Sequence, residues 1–235
     1  MIDIHCHLLP GVDDGARSWD VTLEMCRIAE RDGVTHIVAT PHANYEYRYD
    51  RALHLATLDE LRTRFPSLAF SLGCDFHLSY ENIEDAMAHP ERYAIGDTRY
   101  MLVELSEYST HSVTQALYQL QTAGLTPIVT HPERNPFVLG QPHMIDVFCD
   151  AGCLIQITAN SLTGFWGKPS QKLCEALLRK NMVHFIASDA HGLKNRPPML
   201  SAARNAAARI IGADAAARLV NANPGAVVSN QYLSD

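Results

Sequence analysis

Histidines and carboxylates recur along this sequence where a metal ion could use them. The first place is His5-Cys6-His7. Side chains alternate along a strand, so both imidazoles would face one way, with Cys6 facing the other. Taken alone, a His-x-His is as readily explained by two buried, hydrogen-bonded histidines. Further donors follow at intervals: Thr40-Pro41-His42, Asp75 with His77 two residues on, Glu104, His131, and Ser188-Asp189-Ala190-His191. Mixed imidazole and carboxylate ligation suits zinc, manganese or iron better than calcium or magnesium alone. The stretch Leu9-Pro10-Gly11-Val12-Asp13-Asp14-Gly15 either returns a carboxylate ligand over the first strand end or is an ordinary turn in which Asp caps its own backbone.

The elements that must position these residues alternate between β-branched runs and helical patterns, the signature of βα units around a parallel sheet. Seven strands are expected, at 2–7, 36–40, 69–75, 99–104, 127–131, 154–158 and 184–189. Between them, apolar residues spaced by three and four (Val21, Met25, Ile28, Ala29; then Val113, Leu117, Leu120) predict helices that pack on the sheet. Ser18 and Ser79 fall at N-cap positions, and Gly33 and Gly124 at C-cap positions. Two closing helices are expected in 200–222, with Asn223-Pro224 starting a tail. Periodicity does not choose between an open sheet and a barrel, but no Gly-x-Gly-x-x-Gly or Walker-type loop follows the first strand. The donors tip the choice toward a barrel, because each falls near the C-terminal end of a predicted strand, and in a parallel barrel those ends meet on one face. Gathering so many ionisable groups in a core is costly unless cations compensate them.

A chain of 235 residues, 47% hydrophobic, is enough for one substantial core, and no repeat or linker divides it, so one domain over 1–235 is expected. The formal charge is −7 and no dense basic block is present, which disfavours nucleic acid as a partner. No stretch is apolar enough for membrane insertion, and no signal-peptide pattern is present. The six cysteines contain no Cys-x-x-Cys pair and read as reduced core residues of a cytoplasmic protein.

Five ordered blocks, at 1–16 (MIDIHCHLLPGVDDGA), 39–42, 103–106, 130–135 and 187–198 (ASDAHGLKNRPP), carry a resemblance that covers essentially the whole chain. The sequence resembles the PHP (polymerase and histidinol phosphatase) superfamily and, within it, the bacterial capsular and exopolysaccharide protein-tyrosine phosphatases. The resemblance implies an α/β fold, a distorted seven-stranded (β/α)7 TIM-like barrel. It also implies three divalent ions, usually manganese, with zinc, iron or magnesium as alternatives. By position it places His5, His7 and Asp189 on one ion and Glu104 and His131 on a second, with the carboxylate at 75 bridging the two. Asp14, His42 and His191 fall on the third ion, and Arg134 and Arg196 face phosphate. The family usually carries Glu at position 75; Asp75 is one methylene shorter, which leaves open whether Asp75 or His77 completes the bridge. Asp3, on the same strand face as His5, is expected to orient rather than ligate.

The implied activity is hydrolysis of phosphotyrosine on a protein, with the tyrosine-bearing C-terminal tail of a bacterial tyrosine kinase governing capsule or exopolysaccharide synthesis as the expected substrate. Three divalent ions would outweigh Asp14, Asp75, Glu104 and Asp189 and make the site locally positive on an acidic protein. His42 or His191 could protonate the leaving group where not occupied by metal. No cysteine is followed by Arg six positions on, so a thiol nucleophile is not expected. Tyr45, Tyr47, Tyr49, Phe165 and Trp166 either line the mouth or anchor loops. The competing readings are a small-molecule phosphomonoesterase of the histidinol-phosphatase type, a metal-dependent amidohydrolase, for which no Lys stands near a mid-barrel strand end, and a non-catalytic metal-binding partner.

Overall fold

The computed structural model describes residues 1–105 and 110–233. It is an α/β structure with, among the described residues, nine parallel strands: β1 (Ile2–Cys6), β2 (His36–Ala39), β3 (His42–Ala43), β4 (Ala69–Leu72), β5 (Asp75–His77), β6 (Tyr100–Glu104), β7 (Thr126–Thr130), β8 (Leu154–Thr158) and β9 (Phe185–Ala187). They form a three-stranded sheet, β1-β2-β4, and a six-stranded one, β3-β5-β6-β7-β8-β9, rather than one seven-stranded barrel.

The difference from seven expected strands has a local cause. The run expected at 69–75 is cut at Gly73-Cys74, and a short strand, β3, resumes beyond the expected 36–40 after a break at Thr40-Pro41. Pro41 has no N–H to give a ladder, and Gly73 sits so close to Val38, Thr40 and Ile95 that a Cβ would lie 3.1–3.2 Å from each. Single bonds carry the chain over the break: Gly73 N–H donates to Ala39 O at 2.8 Å and Asp75 N–H to Pro41 O at 3.1 Å. On the other side, His7 N–H donates to Ala190 O and Asp189 N–H to His5 O, joining β1 to the segment after β9.

Inner and outer faces separate two cores. Outward residues such as Ile37, Ala39, Phe76, Met101, Val103, Val129 and Ile155 join the large cluster beneath the helices. Inward residues Ile4, Val38, Tyr100, Leu102, Ile128, Phe185 and Ala187 fill the N-terminal half of the interior. Above them the same inward rows turn polar, with Leu102 followed by Glu104, Ile128 by Thr130 and Leu154 by Gln156. The apolar layer is therefore the floor of the polar one.

The helices follow their patterns. Helix Trp19–Arg31 begins at Ser18, whose hydroxyl accepts from Val21 N–H, and buries Thr22, Met25, Cys26 and Ala29. Val113, Leu117 and Leu120 are the buried side of Thr110–Thr122. Ser79 caps Tyr80–Ala88, and Gly33 and Gly124 adopt the left-handed conformation expected of them. The closing segment departs from expectation: after Ser201–Ile211 and Ala213–Arg218, Asn223-Pro224 opens no tail but lies in the first turn of a third helix, Ala222–Val228. Proline is tolerated there because first-turn N–H groups have no intrahelical acceptor. Of the block 103–106, Ser106 lies outside the described residues.

Candidate metal centre

A bulge in β1 begins the site. Asp3 pairs with Ile37 and Cys6 with Ala39, so Ile4 and His5 together stand opposite the single residue Val38. The extra residue breaks the alternation that would have put Asp3 and His5 on one face. Asp3 accordingly does not touch the His5 ring. Its carboxylate accepts from the Ser188 hydroxyl at 2.5 Å, from Ser188 N–H at 3.0 Å and from His5 N–H at 3.4 Å, pinning β1 to the end of β9. Burial, against the Ser188 bonds, raises the Asp3 carboxyl to about 6.

His5 and His7 both reach the interior, their Nε2 atoms 3.3 Å apart. Each ring is fixed from behind. His5 Nδ1 donates to Gln156 Oε1 at 2.8 Å, His7 Nδ1 to Asp13 Oδ2 at 2.8 Å, and His191 Nδ1 to the Asp189 carbonyl at 3.0 Å. With Nδ1 engaged as donor, Nε2 is left with its lone pair toward the centre, the orientation a metal ligand needs. Gln156 was not foreseen. Its signal was an amide at the centre of the strand Leu-Ile-Gln-Ile-Thr, among aliphatic neighbours. Of the Asp13-Asp14 pair, Asp13 takes the orienting role, while Asp14 Oδ1 lies 3.4 Å from His42 Nε2 and 3.3 Å from His191 Nε2.

Asp75 is the hub. Fully buried at the start of β5, its Oδ2 lies 3.5 Å from His5 Nε2, 4.0 Å from His7 Nε2 and 3.2 Å from His42 Nδ1. His77 occupies the same strand and face rather than lying past the strand, and its Nδ1 stands 3.3 Å from Glu104 Oε2. His131 Nε2 is 3.9 Å from Glu104 Oε1. Asp189 Oδ1 is 3.5 Å from both His5 and His7, and its Oδ2 accepts from Arg134 and, at 2.5 Å, from Arg196. His131 and Asp189 each turn the backbone into the left-handed region (φ 32° and 51°), a conformation costing about 1–3 kcal/mol that clusters at functional sites.

The electrostatics show a site short of positive charge. Burial disfavours protonation of His5, yet Asp75 and Asp189 prevail and raise it to about 9. His42, against the same burial, is raised to about 11 by Asp14 and Asp75. Although burial alone would raise them, Asp75 and Asp189 are held well below the usual carboxylate range, chiefly by His5. His131 is the opposite case: burial and then Arg134 lower it to about 4, so it stands neutral with a free lone pair. Asp75 Oδ2 and His42 Nδ1 are buried without a hydrogen-bond partner, a cost of about 1–3 kcal/mol per group and more for a charged one. A divalent cation meets every one of these demands, supplying the charge that the imidazoles otherwise carry as protons. Three donor groups have ligand atoms within 4.8 Å of one another: His7, Asp14, His42 and His191; His5, His7 and Asp75; and His42, Asp75 and Glu104. Compared with the grouping implied by resemblance, His7 is shared with the third group, and Glu104 gathers with His42 and Asp75 rather than with His131.

The aromatic residues divide. Tyr49 is a loop anchor, buried against His54 and Tyr93 with its hydroxyl on Gly73 O. Tyr47 lies nearly parallel to His42 at 6.0 Å, Tyr45 is 96% exposed, and Trp166 covers the two arginines. All six cysteines are free, and burial pushes the thiols up, Cys26 and Cys153 to about 12. None is poised as a nucleophile.

Fold and site together define an α/β protein with a histidine–carboxylate centre, able to hold divalent metal, at the C-terminal ends of parallel strands. More particularly, the chain belongs to the family described as capsular polysaccharide synthesis, CpsB/CapC, whose model matches residues 1–229. It is 36% identical over 202 residues to the tyrosine-protein phosphatase YwqE of Bacillus subtilis, covering 83% of this chain and 79% of that one. It is 29% identical over 244 residues to the tyrosine-protein phosphatase CpsB of Streptococcus agalactiae, covering 99% and 100%. A crystal structure from the pair YwqE of Bacillus subtilis and CpsB of Streptococcus pneumoniae, described as unique metal-dependent tyrosine phosphatases, superposes with TM-score 0.92 at 32% identity, over 100% of this chain and 96% of that one. The histidinol phosphate phosphatase of Lactococcus lactis, at TM-score 0.59 and 11% identity over 91% of this chain and 93% of that one, shares the fold alone.

Proposed function

We propose that this protein is a metal-dependent protein-tyrosine phosphatase, a phosphoric monoester hydrolase acting on phosphotyrosine. The observation that carries the reading is three cation-sized donor groups beside Asp189, whose carboxylate lies 3.5 Å from His5 and His7 and also takes two guanidiniums, in a chain of this family. The ligands we assign are His5, His7, Asp14, His42, Asp75, Glu104, His131, Asp189 and His191, for three divalent ions, manganese before zinc, iron or magnesium. We read the two sheets as one interrupted seven-unit (β/α) barrel, because the Gly73–Ala39, Asp75–Pro41 and His7–Ala190 bonds run between them and around the break.

Divalent ions bound there would make water a competent nucleophile near neutral pH and neutralise the phosphoryl oxygens. Arg134 and Arg196 are the chain's own phosphate clamp: their forks match non-bridging oxygens, and Asp189 keeps both aimed at one place. A phenoxide leaving group, with a pKa of about 10, needs little help, and His42 or His191 would give it a proton only where it is not holding metal. The substrate we favour is the tyrosine-bearing C-terminal tail of a bacterial tyrosine kinase that controls capsule or exopolysaccharide synthesis, and the location is the cytoplasm. Among the described residues no helix is long and apolar enough to cross a membrane.

The deciding experiment is metal analysis of the purified protein alongside turnover of phosphotyrosine peptide, phosphoserine peptide and histidinol phosphate. Fastest hydrolysis of phosphotyrosine by metal-loaded protein is expected. A clear preference for histidinol phosphate would replace this reading with a small-molecule phosphatase.

A further inference from the structure

A cavity of about 320 Å³ opens beside the centre, and its lining combines polar and apolar groups. Glu104, His131 and Arg134 face it as polar groups, while Leu105, Pro136 and Trp166 offer apolar surface. Trp166 stands where the two meet. Its ring lies 4.2 Å from the guanidinium carbon of Arg134 and 5.6 Å from that of Arg196, and Phe165 braces it edge-on at 5.3 Å. It remains 36% exposed, so a good part of the indole is uncovered by the protein. Trp166 thus does more than hold the arginines: it carries the apolar surface of the cavity up to the place where they would hold a phosphoryl group.

We propose that Trp166, with Leu105 and Pro136, is a specificity determinant that receives the ring of an aryl phosphate, an inference that rests on the phosphotyrosine reading above. In phosphotyrosine a phenylene spacer separates phosphorus from the peptide backbone, and a ring in that position packs on the apolar groups of the cavity. In phosphoserine the spacer is a single methylene. Binding it at the same arginines brings peptide N–H and C=O groups against Trp166 and Leu105, where they lose water without gaining partners. The two effects act in the same direction. Packing of one aromatic pair accounts for roughly three- to tenfold of the selection.

The test compares the binding of the inhibitors phenylphosphonate and methylphosphonate to the metal-loaded protein by titration calorimetry, since both present the same phosphoryl oxygens and differ by the ring. Wild type is expected to bind phenylphosphonate more tightly. Trp166→Ala should lose roughly three- to tenfold on phenylphosphonate and much less on methylphosphonate, and Trp166→Phe should restore most of the difference. In a Trp19→Phe background, where Trp166 is the remaining indole, phenylphosphonate should change the fluorescence more than methylphosphonate does. Equal weakening of both inhibitors in Trp166→Ala would mean that the indole serves only the arginines, and the proposal would be wrong. Absence of discrimination by wild type would overturn it as well, even if Trp166→Ala failed to fold. These are binding readouts, so they stand apart from the phosphotyrosine reading, which fails on its own if wild type turns over no phosphotyrosine.

Discussion

Asp75 is where the residue-scale argument can be tested most sharply. Its carboxylate belongs to two of the three donor groups. Asp75→Asn keeps the volume and removes the charge, so it should empty both groups together and reduce turnover by more than the ~10–100-fold typical of a lost supporting residue. His77 touches Glu104 alone among the assigned ligands, so His77→Ala should keep its metal and lose activity modestly. Metal content by mass spectrometry checks both, and metal lost from His77→Ala but retained by Asp75→Asn would reverse the roles. Gln156 supplies a second prediction. Gln156→Leu removes the acceptor that holds His5 Nδ1, and metal affinity should fall by about 10–100-fold, with circular dichroism and the thermal transition nearly unchanged. At this scale most of the site was legible, because donor type and strand-end position are written in the sequence. The supporting contacts were not, since Gln156 and Asp13 meet their histidines through tertiary geometry that no local pattern encodes.

At the scale of elements, alternation and capping identified strands and helices, and failed where backbone chemistry intervened. The bulge at Ile4-His5 turns His5 inward and separates it from Asp3; a period-two pattern cannot signal an inserted residue. Pro41 and Gly73 did carry the warning of strand breaks, through a missing donor and a missing side chain. The loop after β1 is equally constrained. A Cβ on Gly15 would lie 2.2 Å from His7 O and 2.5 Å from His7 Cβ, and Gly15 N–H donates to Asp13 Oδ1. Gly15→Ala must therefore push Asp13 and Asp14 away from His7 and His42. Its expected signature is weakened metal binding with a lowered melting temperature, both measurable on one sample by thermal denaturation across a manganese titration. A variant indistinguishable from wild type in both would show that the loop can yield without disturbing the ligands.

At the scale of the whole molecule, burial and charge separate two chemistries. Five of the six thiols are buried and Cys149 is partly buried, with their ionisation suppressed, while the carboxylates and imidazoles of the centre gather at the strand ends. Chelation is therefore expected to abolish turnover and manganese to restore it, whereas iodoacetamide under native conditions should leave the rate intact. Inactivation by the alkylating agent, with chelator-treated protein still active, would point to cysteine chemistry instead.

The bonds from Asp3 to Ser188 span 185 positions of sequence, and they govern when the centre can exist. His5 and His7 are made well before Asp189, His191 and Arg196, which follow only after β9. Contacts so distant in sequence close late, because the loop entropy must be overcome before they add stability. Helices and the β5–β8 ladder can form earlier from nearer neighbours. Completion of the centre, with Asp189, His191 and Arg196 in place, is thus expected late in folding. In refolding from denaturant, far-ultraviolet circular dichroism should recover before manganese is taken up, and a centre that filled first would reverse that order.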